Sequence, residues 1–300
     1  VHNDGHAFIA GLYKRGMRAF LVSRVPDVSQ YPGAGFAVAE KPVQVLQEWA
    51  ARHRSQYHYP VIGITGSNGK TILKEWIFQA LREKLRIVRS PKSYNSQLGV
   101  PLSVLQMEAQ HHLGVFEAGI SRPGEMARLQ HIIRPGIGIF TNIGDAHQEQ
   151  FGSLEEKVGE KMQLFTQAQV MIARATHQRV LQHAAGLRDL RQVFTWAVAQ
   201  GADVVFERKS LGEYQVVAPN NTFGLRMPFT DEASLENSMH LVCLLVYLGY
   251  TGDFIQKRLN SLVPVNMRLE ALEGINGCTV INDSYNSDMN SLEVALNTLD

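Results

Sequence analysis

An α/β fold with a mainly parallel central sheet is predicted by three features of this 300-residue sequence. From Pro60 onward, short apolar runs alternate with amphipathic stretches of helical spacing. Those runs are apolar at nearly every position, as strands covered on both faces require. A glycine-rich loop, Gly66-Ser-Asn-Gly-Lys-Thr71, joins the first run to the first helical stretch. That is the setting of a phosphate loop at a helix N-terminus.

The elements follow in order. Residues 1–55 hold a short α/β piece, with a strand at Arg18–Ser23 and a helix at Val43–Arg52. The polar stretch Arg52–Tyr57 reads as a linker. Strands are expected at Val61–Thr65, Arg86–Val88, Leu113–Phe116, Gly136–Phe140, Val170–Ala173 and Gln192–Phe194. Helices are expected at Thr71–Lys84, Gly124–Ile133 and Leu154–Gln167. Three short runs near 203–206, 214–217 and 222–225, separated by turn residues, suggest an antiparallel annex. A helix over Ala233–Leu248 follows. Near Val263-Pro264 a further unit begins, with a strand at Cys278–Ile281 and a helix from Asn290 that is still open at Asp300. The expected domains are therefore 1–55, 56–262 and 263–300. Val1 in place of Met and the open last helix lead to the reading of a fragment.

Composition narrows the function classes. Twenty-nine Lys+Arg against 28 Asp+Glu leave a net charge of +1, which argues against a general nucleic-acid or membrane surface. The longest apolar run, Leu241–Leu248, falls far short of the roughly 20 residues that span a bilayer. Two cysteines, Cys243 and Cys278, lie in apolar runs. Both read as small buried hydrophobes in a reducing cytoplasm.

In the loop, glycines let backbone N–H groups approach an anion, and the helix N-terminus adds partial positive charge. Gly66, Ser67, Asn68 and Gly69 would wrap the phosphates, Lys70 would meet the β/γ-phosphates, and Thr71 would offer its hydroxyl to Mg²⁺. The general pattern wants glycine at position 64, where Ile64 stands. A chance Gly-Lys-Thr at a helix start is the alternative.

The run Gly63–Thr71 resembles the ATP loop of the Mur ligases, which use the shorter G-x-x-G-K-[ST] form. Four further segments follow in that family's order: Ser93–Leu102, Thr141–His147 continuing to Lys161, Asn282–Asn286 with Ser291, and Asp4–Ile9. The Ser93 and Asn282 segments resemble the branch that joins D-alanyl-D-alanine to UDP-N-acetylmuramoyl-tripeptide. Glu117–Ser121 and Ser287–Asn290 depart from the commoner sequences. They resemble a form fused in some bacteria to a C-terminal alanine racemase. Pyridoxal phosphate would enter only if such a domain follows Asp300.

The resemblance implies a P-loop ATPase domain flanked by a partial N-terminal α/β domain that binds the UDP-sugar and by the start of a Rossmann-like C-terminal domain. It implies ATP and Mg²⁺ as cofactors and a two-step amide ligation through an acyl phosphate. Thr71 and Glu117 would hold a first Mg²⁺, and His147 would help to hold a second. Imidazole is an unusual ligand for so hard a cation. Lys161 would be carbamylated by CO₂ and join the metal site. Unmodified, its ammonium ~5 Å from a divalent ion would be repelled by about 7 kcal/mol at an effective dielectric of 20. The alternative is a solvated helix lysine, the part expected of neighbouring Lys157. Lys70, His147 and Lys161 would thus carry the catalysis. Asn237 would contact adenine, Arg268 an ATP phosphate and Asp283 the ribose. Ser93, Asn95, Gln97, Tyr285 and Asn286 would face the sugar-nucleotide peptide. Asn237 could instead be a polar residue on an amphipathic helix, and Ser93–Gln97 only a turn. His111, His112 and His240 read as structural.

A folylpolyglutamate synthase-like ligase and a non-catalytic ATP-binding module remain as alternatives. Ser93-Tyr-Asn95 and Asp283–Asn286 disfavour the first. Lys70, Glu117, His147 and Lys161 disfavour the second.

Overall fold

The computed structural model describes residues 4–144, 150–265 and 270–282. His147, Arg268, Asp283, Tyr285, Asn286 and the helix expected from Asn290 lie outside them. The chain opens with α1 (Ile9–Lys14), β1 (Ala19–Val22) and β2 (Gly35–Val38), the two strands pairing in parallel. Helix α2 (Pro42–Arg54) starts with Pro42 at its first turn, where a missing N–H costs nothing. The expected linker is still helix through Arg54. Arg54 donates to the carbonyls of Ile133, Tyr57 and Arg134, and Ala50 and Ala51 lie in the core under the central sheet. That packing overrides the polar look of Arg52–Tyr57.

The central unit runs β3 (Val61–Thr65), α3 (Lys70–Leu81), β4 (Ile87–Arg89), α4 (Gly99–Val104), β5 (Leu113–Glu117), α5 (Glu125–Ile133), β6 (Ile137–Phe140), α6 (Leu154–Met162), β7 (Val170–Arg174), α7 (Gln178–Ala185) and β8 (Gln192–Ala197). Strands β9 (Val204–Ser210), β10 (Glu213–Ala218) and β11 (Asn221–Arg226) follow, then α8 (Glu232–Tyr247) and α9 (Gly252–Leu259). Among the described residues, nine strands form one sheet, in the order β11-β10-β9-β8-β7-β6-β3-β5-β4. From β4 to β9 every pair is parallel, and β10 and β11 add antiparallel strands at one edge. The expected annex therefore extends the main sheet.

Each face of the sheet carries its own core. One packs Trp76, Ile77, Leu241, Leu244, Leu245 and Ile255 from α3, α8 and α9. The other packs Val104, Met126, Leu129, Ile132 and Val180 from α4, α5 and α7. Burial of each such side chain contributes about 1.5–3 kcal/mol. Strand β3 sits at the switch point, because the chain leaves it toward β5 and β4 on one side and toward β6 on the other. Ligands of open α/β sheets bind beyond the carboxyl ends of the strands at that point.

The chain after α9 is fixed to α3. Trp76 Nε1 donates to the Val263 carbonyl at 3.1 Å, and Val263 N donates to Gln79 Oε1 at 2.9 Å. Strands β12 (Glu270–Glu273) and β13 (Thr279–Asn282) then pair antiparallel. Cys243 is buried as expected, but Cys278 is exposed, because among the described residues no layer covers this ribbon. Among the described residues no helix is long and apolar enough to cross a membrane.

The histidines read as structural hold backbone or core groups. His112 Nδ1 accepts from Arg86 N, and His111 Nδ1 accepts from Glu108 N. His240 is fully buried, taking the Trp196 indole N–H at 3.0 Å on Nδ1 and donating from Nε2 to the Thr141 carbonyl at 2.9 Å. Burial pushes its pKa from 6.5 down to about 3. The unfolded chain therefore takes up a proton near 6.5 that the folded chain refuses until about 3. Stability falls as pH drops through that window, by roughly 5 kcal/mol at the full shift. His240→Asn is expected to flatten this slope between about pH 7 and pH 4, measured by urea unfolding. An unchanged slope would refute the assignment.

Candidate active site

The loop after β3 is shaped by its neighbours. Gly66 has φ +146° and Gly69 φ +81°, conformations that side chains disfavour. A Cβ on Gly66 would lie 2.0 Å from Thr141 Oγ1, and one on Gly69 would lie 2.5 Å from Asn237 Oδ1. The end of β6 braces the loop. Ser67 N donates to the Asn142 carbonyl and Asn68 N to Asn142 Oδ1, both at 2.9 Å. Thr141 Oγ1 donates to the Asn68 carbonyl at 2.6 Å. Ser67 Oγ both donates to the Gly144 carbonyl and accepts from Gly144 N. Beyond the braced loop, the first N–H groups of α3 have no intrahelical acceptor and point out of the helix end, where an anion is favoured.

Three lysines meet at this loop. Lys70 Nζ donates to the carbonyls of Gly66 and Ser67 at 2.8 and 2.9 Å. Lys161, from α6, donates to the same Gly66 carbonyl at 3.0 Å. Lys157 donates to the Gly144 carbonyl. Lys157 is only 1% exposed and Lys161 4%, so the expected solvated partner is itself an inward-facing lysine. They stand at positions i and i+4, which places both on the inner face of α6. Burial, then the ammonium groups of Lys70 and Lys157, hold the Lys161 pKa well below the usual lysine range.

Beside the lysines lies an oxygen cluster. Glu117, at the carboxyl end of β5, is fully buried. Its Oε2 accepts from Thr71 Oγ1 at 3.0 Å and from Asn95 Nδ2 at 3.3 Å. Ser93 Oγ is 2.9 Å from Thr71 Oγ1. The cluster fits a magnesium ion, since two oxygens on one octahedral Mg²⁺, each about 2.1 Å from it, lie about 3 Å apart. Thr71 Oγ1 and Glu117 Oε2 already have that spacing.

The structure thus brings Gly66–Thr71, Ser93, Asn95, Glu117 and Lys161 together. Asn237, on α8, packs against Gly69 but is 4% exposed and gives its Nδ2 to the Ala233 carbonyl. Gln97 ties elements together, donating to the Glu125 carbonyl and accepting from Gln47 of α2. Asn142 and Lys74 are partners that the sequence reading missed. For Lys74 the signal was its place three residues after Thr71 on one helix face. For Asn142 it was a polar residue at the end of an apolar strand. Among the described residues no group of three His, Cys, Asp or Glu side chains is arranged to hold a metal. Among the described residues the candidate cation site rests on one carboxylate and hydroxyls, a sparse set suited to an ion that keeps several waters.

Sheet order, loop and lysine cluster define a phosphate-loop α/β domain. The Mur ligase middle domain family matches residues 64–245, and the chain belongs to the Mur ligase family. Proteins of the MurF type are among those that it resembles along nearly its whole length. It is 28% identical over 302 residues to the UDP-N-acetylmuramoyl-tripeptide--D-alanyl-D-alanine ligase of Bacillus subtilis, an alignment covering 98% of this chain and 64% of the relative. A crystal structure of MurF from Acinetobacter baumannii superposes with a TM-score of 0.85 at 25% identity, over 98% of this chain and 65% of that one. MurF from Thermotoga maritima in complex with ADP superposes with a TM-score of 0.81 at 25% identity, over 98% and 68%. The chain therefore spans about two thirds of the length of these proteins.

Proposed function

We propose that the protein to which this chain belongs is an ATP-dependent ligase that joins D-alanyl-D-alanine to UDP-N-acetylmuramoyl-tripeptide in the cytoplasm, for cell-wall synthesis. The observation that carries this reading is the gathering of Lys70, Lys161, Thr71 and Glu117 around the phosphate loop. Resemblance to ligases of that name, and to a homologue bound to ADP, supports it.

The chemistry brings anions together. The terminal carboxylate of the tripeptide attacks the γ-phosphorus of ATP, the bond to the β-phosphate oxygen breaks, and ADP leaves. The amine of D-alanyl-D-alanine then attacks the acyl phosphate. An amide forms, the C–O bond to phosphate breaks, and the amine loses a proton. Lys70 and the N-terminus of α3 would offset the triphosphate's charge, and the braced loop would hold it in line. Thr71 and Glu117 would hold Mg²⁺, which supplies charge neutralisation at the phosphates when bound. His147 would serve a second ion and Lys161, as a carbamate, would join the metal site. Asn237, Arg268 and Asp283 would hold the nucleoside and its phosphate. Ser93, Asn95, Gln97, Tyr285 and Asn286 would face the sugar-nucleotide peptide.

The test is phosphate release by the full-length protein given ATP, UDP-muramoyl tripeptide and D-alanyl-D-alanine. Release that depends on all three is expected. Release with a glutamyl folate acceptor instead, or ATP binding without release, would refute the proposal.

A further inference from the structure

Lys74 plays no part in the reading above, yet it is fully buried one turn into α3. Its Nζ donates to the Ser90 carbonyl at 2.7 Å and to the Lys92 carbonyl. It lies 3.1 Å from Glu75 Oε1 and 3.0 Å from Glu117 Oε1. Glu117 Oε1 is buried and takes no hydrogen bond, so its contact with Lys74 is an ion pair without hydrogen-bond geometry. The Glu117 carboxylate is therefore divided. One oxygen faces the ammonium, and the other faces Thr71 and Asn95.

We infer that Lys74 determines metal specificity: by occupying Oε1 of Glu117 it leaves that carboxylate a one-oxygen ligand, so that the site favours Mg²⁺ over Ca²⁺. The inference rests on the reading that Thr71 and Glu117 hold a divalent cation. Mg²⁺ demands near-octahedral geometry and takes single oxygens at about 2.0–2.1 Å. Ca²⁺ sits at about 2.3–2.6 Å and readily takes both oxygens of one carboxylate. The ammonium is tied to two carbonyls as well as to Glu75 and Glu117. It cannot swing away to free Oε1 without leaving the buried Ser90 carbonyl unmatched. The same ties dock the segment that carries Ser93 and Asn95 onto α3. A purely structural role for Lys74 would thus act alike whichever metal is present.

The experiment measures ADP affinity of the full-length protein by calorimetry, with Mg²⁺ and separately with Ca²⁺. The wild-type protein is expected to bind ADP more tightly with Mg²⁺. In Lys74→Met the ratio of the two affinities is expected to fall by about tenfold or more, because Oε1 becomes open to the larger ion. Should Lys74→Met fail to fold, Lys74→Gln is measured in its place, with a fall in the same direction expected. A ratio unchanged within about twofold, alongside a lower melting temperature with either metal, would make Lys74 a structural residue and overturn the inference alone. Wild-type ADP binding that is indifferent to both metals would overturn the metal-site reading, and the inference with it.

Discussion

Replacing Lys70 with alanine in the full-length protein is expected to lower kcat/KM for ligation by about a thousandfold. A unit charge ~4 Å from a phosphate oxygen is worth about 4 kcal/mol at an effective dielectric of 20, which is about three powers of ten in rate. The geometry makes the loss hard to repair. Lys70 reaches back over its own loop to the Gly66 and Ser67 carbonyls, so its ammonium stands where the α3 N-terminus would meet a phosphate. Lys161 touches the same Gly66 carbonyl, but Lys161 is buried and its pKa is depressed, which favours the uncharged amine. Lys157 is held at Gly144. Neither supplies a fixed charge in the place of Lys70. The checks are phosphate release and the affinity for ADP. A variant within about tenfold of wild type would show that the loop binds no reacting phosphate.

Lys161→Met is expected to lower activity by about a hundredfold and to leave the protein at least as stable as before. The two effects have different origins. A buried amine hemmed in by two other ammonium groups is costly to protonate, so a methionine of similar length removes a burden from the fold. In the unmodified wild type, the unfolded chain binds a proton on Lys161 that the folded chain has released. Stability therefore rises with pH from the depressed native value up to the usual 10.5, and the methionine variant should lack that slope. The proposed function adds a chemical consequence. An uncharged amine would attack CO₂, forming a carbamate and releasing a proton, and the carbamate would place a negative charge beside the proposed metal site. Wild-type activity should then fall after exhaustive removal of bicarbonate and recover when it returns, with a mass gain of one CO₂ on Lys161. The methionine variant should not respond. Activity independent of bicarbonate in the wild type would refute the carbamate role.

What could be read from the sequence was whatever is local or periodic. The apolar runs that became β3, β5, β6 and β7 are buried on both faces, so their composition alone marks them as strands. The loop was legible because glycine, lysine and threonine must stand next to one another for their chemistry to work. Helix α7 and helix α9 were missed, since they are short and their stripes are narrow. Arg52–Tyr57 misled for a related reason. Its polarity is local, whereas its partners Ile133 and Arg134 are about eighty residues away.

Sequence by itself determined the sheet class, the phosphate loop, and a resemblance strong enough to place Glu117 and Lys161 near it. Only the tertiary structure decided that Lys157 faces inward, that Asn142 braces the loop, and that Lys74 shares Glu117 with Thr71. The reason is distance along the chain. A lysine's charge is the same wherever it occurs, but whether it is solvated or buried depends on which carbonyls and carboxylates the fold brings within 3 Å of it.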